Sequence, residues 1–518
     1  MPDNFLLTFL LFLPFAGTFL IGMLPAAASR LIAIFITGAM CVLSLSLIKG
    51  FNPHNLDMQF VHKLSWIQTP FPVEYHVGAD GMSVCLVVLT AFVMLMAVLA
   101  SQHIGQKRPK LYYSMLMLLT LSIVGVFVSL DLLQFFIMYE LELVPMYFLI
   151  AIWGGPNRDY AAMKFLLYTF FGGVLMLAGL LYLYFQMSIA GGQPPTFDMV
   201  ELAKHGSNLM KPAQILACLG FFLAFIIKLP SFPFHTWLPD AHVEAPTPVS
   251  MILAGLLLKM GSYGLVRICL GFFPDVITAW APYIILLGAF NVVWGAVACL
   301  VQTDMKRIIA FSSVSHMGFV LIGVASLSAA ALNGAIFQMI SHGVISAALF
   351  FLVGCVYDRC HTRDLREIGG GLAKQMPFIF YFWMLAAMAN LGLPGLAGFV
   401  AEVIVFYGAF TSPVASAGAA DPTMVRFALV MACTGVILSA GYMLWLLKRL
   451  FYGPEQPKWA GHLSDMNCTE RIVALGLSVF IILLGVYPRM LTNAYTPYSN
   501  QICKSIQDNA KAGQVSVQ

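Results

Sequence analysis

Several carboxylates, lysines and histidines stand inside stretches that are otherwise apolar. Glu140 follows Phe135-Phe136-Ile137-Met138-Tyr139, and Lys228 follows Leu223-Ala224-Phe225-Ile226-Ile227. Lys259 is enclosed by Ala254-Gly255-Leu256-Leu257-Leu258 and Met260-Gly261-Ser262, and Glu402 comes just after Gly398. A charge at mid-membrane costs about 2.5–3.5 kcal/mol on insertion scales, so each such group needs a partner or a hydrated cavity. Acids and bases placed in this way are suited to one chemistry above others, the taking up and handing on of protons.

The surroundings of each group refine that reading. Glu142 is two residues beyond Glu140, about 200° around a continuous helix, so the two cannot face one interior; Glu140 is the expected functional carboxylate and Glu142 an interfacial or structural one. Lys228 directly precedes Leu229-Pro230, and Pro233 and Pro239 follow. Prolines free backbone carbonyls and let water in, which would hydrate the lysine. A Glu140–Lys228 pair could exist charged or, after proton transfer, neutral, which makes it a switch. Lys259 lies too deep to reach the membrane surface, and small neighbours allow close helix approach. Arg267, nearer the end of its segment, reads as structural. His316 has Ser312 and Ser313 within a turn, and His342 has Gln338 and Ser346 one turn to either side, patterns that suit either a hydrated proton wire or hydrogen-bonded helix contacts. His235 and His242, seven residues apart, flank the Pro-rich break. Glu402 follows a second break, Gly392-Leu393-Pro394-Gly395-Leu396-Ala397-Gly398, and could serve as an exit acceptor.

These groups must be positioned by membrane-spanning helices. Of 518 residues 60% are hydrophobic and 10% charged, against about 25% charged in an ordinary soluble protein, and the mean hydropathy is +0.86. At about 20 apolar residues per crossing, the sequence predicts an all-α polytopic protein with fourteen spans: 4–24, 29–48, 82–101, 112–130, 132–153, 162–188, 213–238, 246–271, 276–301, 307–326, 329–357, 375–411, 424–451 and 470–492. The two breaks fall in spans 7 and 12, five apart. Matching breaks are a mark of inverted repeats, so spans 4–8 (within 112–271) and 9–13 (within 272–451) are expected to be two inverted five-helix repeats, between an N-terminal region, 1–111, and a C-terminal region, 452–518. Lys and Arg are about twice as frequent in odd-numbered connections, which predicts that these face the cytoplasm and that both termini are periplasmic in a bacterial inner membrane. Met1-Pro2-Asp3-Asn4 carries no positive charge, so the first apolar stretch is expected to be an uncleaved span rather than a signal peptide. The mixed-charge stretch 358–367 reads as a solvated or docking loop.

Other function classes find no support. The ten cysteines include no C-x-x-C, so neither an iron–sulfur cluster nor a zinc site is expected. No phosphate-binding or dinucleotide glycine motif is present, and the net charge of +4 is scattered rather than a nucleic-acid footprint.

Taken in order, Glu140-x-x-Leu143-Val144-Pro145-Met146-Tyr147, Lys228-Leu229-Pro230, His235-x-Trp237-Leu238-Pro239-Asp240-Ala241-His242, Glu244-Ala245-Pro246, Ser250–Lys259, Thr303–Ala310 and Ser312–Gly318 resemble the antiporter-like proton-pumping subunits of respiratory complex I, NADH:quinone oxidoreductase, over nearly the whole chain. The glutamate in span 12 and the His361-Thr362-Arg363-Asp364-Leu365 loop resemble the M-type (chain 4) branch, and the absence of a long C-terminal lateral helix speaks against the L-type. The resemblance implies Glu140 and Lys228 as a coupled pair, Lys259 as central relay, His316 and His342 as bridges, and Glu402 as terminal group. It implies L-type and N-type neighbours in the membrane arm, with FMN, iron–sulfur clusters and quinone in partner subunits and no cofactor here. A pulse from quinone reduction would then perturb the Glu140–Lys228 pair and drive a proton toward Lys259 and Glu402. Cyanobacterial and plastid D-type relatives share Glu140-Leu141-Glu142-Leu143-Val144-Pro145, so the donor could be NADH or ferredoxin. A subunit of a multisubunit cation/proton antiporter and a membrane subunit of a hydrogenase-type complex are the alternatives.

Overall fold

Apolar helices follow one another along nearly the whole chain in the computed structural model, which describes residues 5–69, 71–190, 195–206, 209–416, 421–459 and 461–515. Met1–Asn4, whose lack of positive charge bears on the signal-peptide question, lies outside them. Among the described residues thirteen helices are long and apolar enough to cross a membrane. They are α1 (Leu6–Met23), α2 (Ser29–Gly50), α3 (Gly81–Ala100), α4 (Pro109–Val128), the pair α5 (Leu132–Leu141) and α6 (Leu143–Trp153), α7 (Arg158–Ala190), α9 (Lys211–Lys228), α11 (Thr247–Ile252) continuing into α12 (Leu258–Gly264), α13 (Pro274–Val301), α14 (Met305–Ala325), α15 (Ala329–Cys360), α19 (Pro422–Phe451) and α20 (Cys468–Val486). The residues expected as span 12 form two shorter apolar helices, α17 (Pro377–Asn390) and α18 (Ala397–Phe410), either side of the Gly-Pro-Gly break. Short helices α8 (Met199–His205), α10 (Trp237–Glu244) and α16 (Leu365–Ile368) lie in connections, and α21 (Arg489–Val515) occupies what the sequence suggests is a tail.

Burial sorts these helices. The spans Thr247–Leu270 and Ala329–Cys360 are enclosed by protein over at least 18 residues each, whereas α1 and α2 turn large side chains such as Phe19, Leu31 and Phe35 outward. Such a face is stable only against lipid. Lys259 and His342 therefore sit on the spans where the packing is deepest.

One element departs from the all-helical expectation. Residues 59–79 form an antiparallel hairpin, β1 (Gln59–Ile67) with β2 (Val73–Ala79). Its alternation of Val61, Leu64, Trp66, Val73, Tyr75 and Val77 with polar residues is a strand pattern, too short to register against the long apolar runs around it.

The span Thr247–Leu270 contains two π-helical turns, Leu253–Leu257 and Leu265–Leu270, on either side of Lys259. Such widened turns loosen the backbone hydrogen-bond ladder and recur at functional sites.

Candidate functional site

The first break is built residue by residue from proline chemistry. Pro230 has no N–H to give Ile226 O, so Ser231 N reaches that carbonyl instead at 2.9 Å. Ile227 O, left over by the shift, accepts from the Trp237 indole Nε1 at 2.9 Å. Phe232 N donates to Asn291 Oδ1 at 2.8 Å, and Asn291 Nδ2 donates to Ser231 Oγ at 2.7 Å. The opened helix end is thus satisfied by α13, and Lys228 is the last residue before it.

Lys228 forms a buried ion pair with Glu142 rather than with Glu140, the partner expected from the sequence. The cause is local. The helix is not continuous here: α5 stops at Leu141, α6 starts at Leu143, and Glu142 is the hinge between them. A 200° separation holds only along an unbroken helix. Glu140 packs its carboxylate against Gly173 of α7, where any side chain would overlap it, and remains within electrostatic reach of Lys228. The lysine's ammonium also lies 5.3 Å from the Tyr139 ring and 5.6 Å from the Phe165 ring, within cation–π range. Gly261 of α12 packs directly on Phe225 O and the Lys228 side chain, which seats the lysine against the span that carries Lys259.

Lys259 is fully buried and, among the described residues, has no carboxylate partner. Its Nζ donates to Ala254 O at 2.5 Å, a carbonyl within the first π turn, and stands 2.8 Å from His342 Nδ1 on α15. Gly255 and Gly343 bring the two backbones together, since a Cβ on Gly343 would lie 2.9 Å from Gly255 O. The His342 ring centroid is 5.8 Å from that of His316 on α14. Between them lies a cavity of about 10 Å³, room for about one water, lined also by Gln338, Asn390 and Gly398. Such a polar pocket is suited to bridging water. His316 Nδ1 is 3.4 Å from Glu402 Oε1. Glu402 sits on α18 just past the second break, where Gly392 has φ +81° and Gly395 φ +91°. At Gly392 the missing side chain also leaves room for the Glu402 carboxylate. Lys259, His342, His316 and Glu402 therefore form one line.

The other expected residues take different places. His235 Nε2 accepts from Trp294 Nε1 at 3.1 Å and packs among Phe232 and Phe311, apart from that line. His242 stacks on Phe350 at 4.2 Å, with neither ring nitrogen hydrogen-bonded among the described residues. Arg267 pairs with Asp80 at 2.6 Å and also contacts Tyr263 and Tyr498, tying α3, the second π turn and α21 together. The stretch 358–367, expected to be a solvated or docking loop, keeps Asp358, His361, Arg366 and Glu367 exposed but is also tied to the rest of the chain: Met305 N donates to Arg363 O, Leu365 N to Thr303 O, and Arg359 pairs with Glu470 at 2.7 Å.

One buried base is not evident from the sequence. Lys306 looks like a connection residue, but Asp304 caps α14 so early that Lys306 lies inside the helix, 4% exposed, donating to Ala245 O at 2.6 Å. The capping signature Asp304-x-x-Arg307 could have placed the helix start. Near this lysine are two clefts, one of about 50 Å³ lined by His103, Asp358 and Glu470, the other of about 170 Å³ lined by Asp240, Glu244 and Arg307.

Known proteins align with this architecture along the whole chain. Residues 129–420 match the family described as NADH:quinone oxidoreductase/Mrp antiporter, TM, and residues 6–126 match NADH-ubiquinone oxidoreductase chain 4, amino terminus. An NAD(P)H-quinone oxidoreductase chain 4 of Synechococcus sp. (strain JA-3-3Ab) is 42% identical over 94% of this chain and 91% of its own. That of Gloeobacter violaceus is 41% identical over 96% and 92%. Among solved structures, a chain of respiratory complex I from Thermus thermophilus superposes with a TM-score of 0.85 at 25% identity, covering 96% of this chain and 99% of that one. A chain of the Mrp complex from Dietzia sp. shares the fold, with a TM-score of 0.82 at 21% identity over 98% and 99%. The chain is a multi-pass membrane protein belonging to the NADH:quinone oxidoreductase/Mrp antiporter family, within its chain 4 branch.

Proposed function

We propose that the chain is the proton-translocating chain 4 (M-type) membrane subunit of an NADH:quinone oxidoreductase, and that its protons travel through Lys259, His342, His316 and Glu402. The observation that carries this reading is the run of buried groups from Lys259 to Glu402, with separations of 2.8 Å, a ring spacing of 5.8 Å and 3.4 Å. Redox chemistry, on this reading, belongs to partner subunits holding FMN, iron–sulfur clusters and quinone, and L-type and N-type chains flank this one in the membrane arm. The membrane is the bacterial inner membrane, with the odd-numbered connections cytoplasmic and both termini periplasmic.

Protons enter from the cytoplasmic clefts beside Lys306 and reach Lys259. The lysine donates to His342 Nδ1. An imidazole protonated at one nitrogen can release from the other, and His342 Nε2 has no hydrogen-bond partner among the described protein groups, so the proton leaves toward the cavity and His316. Glu402 accepts it from His316 and passes it outward. Lys228 controls the lysine that follows it. Paired with Glu142, or moved toward Glu140, its charge is compensated; freed from both, it repels a proton on Lys259. In the two five-helix groups, 112–271 and 272–451, these contacts occupy matching places. Glu142–Lys228 ties the second member to the broken fourth, and His316–Glu402 does the same in the other group, which supports the inverted-repeat reading.

The test is Glu402→Gln in the assembled complex, reading quinone reduction and proton uptake by inverted vesicles separately. Pumping should fall well below wild type while the complex still assembles. Full pumping at unchanged quinone turnover would remove the line. Sodium-coupled transport without any quinone dependence would favour the antiporter alternative.

A further inference from the structure

A second cluster of ionisable side chains lies away from the proton line, where the β1–β2 hairpin meets the loops that open α5 and α8. Glu74 and His76 are two residues apart on β2, so strand geometry turns them to one face. Asp198 caps α8: its Oδ1 accepts from Val200 N at 2.9 Å and Glu201 N at 3.4 Å, which fixes the carboxylate and leaves Oδ2 toward the strand. His76 is held by its backbone, with His76 N donating to Gln134 Oε1 at 3.0 Å. Its ring is buried, and Nδ1 sits 3.3 Å from Asp198 Oδ2 without the geometry of a hydrogen bond. One ligand atom each from Glu74, His76 and Asp198 lies within 4.8 Å of the others.

Those distances have a simple interpretation. With metal–ligand bonds of about 2.0–2.1 Å, the edge of a tetrahedron is about 3.3 Å, the spacing the histidine and aspartate already have. A cation already stands close to this position. Lys63, the cross-strand neighbour of His76, places its ammonium 2.6 Å from Glu74 Oε2 and 3.0 Å from Asp198 Oδ2. Its side chain is 44% exposed, and a cleft of about 350 Å³ opens beside it, so it can swing into solvent when a stronger cation arrives.

We propose that Glu74, His76 and Asp198 form a site for a divalent transition metal of the zinc type, which binds in competition with the Lys63 ammonium. One imidazole nitrogen and two carboxylate oxygens, with water as fourth ligand, match the borderline character of zinc and do not suit the all-oxygen shells of magnesium or calcium. The sequence expectation of no zinc site rested on the cysteines, and these ligands come instead from a strand and a helix cap 122 residues further on. Bound metal would clip the hairpin to the start of α8.

Zinc alone is the probe, titrated into the purified complex against a chromophoric chelator, with the zinc absorption edge reporting the ligands. Wild type should hold one more equivalent than His76→Gln, with one imidazole in its shell. Lys63→Met should bind zinc more tightly, by roughly tenfold or more. That gain cannot come from misfolding. Equal zinc content and affinity in wild type and His76→Gln, or unchanged affinity in Lys63→Met, would overturn the site.

Discussion

Lys259 Nζ and His342 Nδ1 stand 2.8 Å apart, and neither side chain reaches solvent. An ammonium can only donate, so when the lysine is charged, His342 Nδ1 must present its lone pair and carry its hydrogen on Nε2. The two residues thus share one transferable proton, and its arrival on the ring is coupled to departure from the far side.

A glutamine at 342 can accept from the lysine but cannot relay. His342→Gln should therefore keep the complex assembled and quinone reduction measurable, while proton translocation drops sharply. His342→Ala, which also leaves Lys259 without that acceptor, should additionally lower thermal stability by about 1–3 kcal/mol. Retained pumping in the glutamine variant would show that protons bypass this ring.

Glu142 contacts Lys228 and Glu140 does not. Removing one partner of a buried pair costs about 3–5 kcal/mol, so Glu142→Gln should be the more destabilising of the two substitutions in thermal unfolding. Glu140→Gln should leave the fold intact and impair pumping, because it removes the second position available to the lysine. Wild-type pumping with Glu140→Gln, together with its loss in Glu142→Gln, would assign the switch to Glu142 alone.

Arg267 and Asp80 tie three separate elements. Arg267→Met should strand a buried carboxylate and destabilise the chain by about 3–5 kcal/mol. Adding Asp80→Asn should recover some of that loss, a positive coupling that a double-mutant cycle of thermal unfolding would register.

Asn291 satisfies the opened end of α9 from α13. Asn291→Leu leaves Phe232 N unpaired in a buried place, a cost of about 1–3 kcal/mol. Thermal melts of this variant and the wild type measure that cost.

Thiol labelling reads the orientation. Cys468 is exposed at the start of α20, beside a connection expected to be cytoplasmic. Burial pushes the Cys503 thiol on α21 up to about 12, so at pH 8 it has almost no thiolate and should stay unlabelled, reacting only as the pH rises toward that value. A membrane-impermeant maleimide should therefore label Cys468 in inverted vesicles and spare it in right-side-out ones. The opposite pattern would invert the topology.

The long helices and their interruptions are visible in the sequence because hydropathy and proline are local signals. Pro230 and Gly392–Gly398 mark their breaks with no knowledge of neighbours, and the cost of burying Lys228, Lys259 and Glu402 singles them out. What stays hidden depends on geometry between distant residues or on a helix end. Glu142 escapes the sequence because the interruption between α5 and α6 is marked only by Pro145, which has no N–H to give Leu141 O one turn back. Lys306 looks like a connection residue because one turn of α14 decides its burial. The Arg267–Asp80 pair joins positions 187 residues apart, and nothing in either segment names the other. The hairpin at 59–79 is masked by the stronger apolar runs beside it.

The π turns around Lys259 have a consequence for selectivity. The ammonium is solvated by Ala254 O, which belongs to its own helix backbone, and by a neutral imidazole, rather than by a carboxylate. An alkali ion needs a cage of several oxygens, and among the described residues the contacts here supply one carbonyl and a nitrogen. On the proposed route a proton passes from base to base here, and these two contacts do not make the oxygen cage that sodium needs.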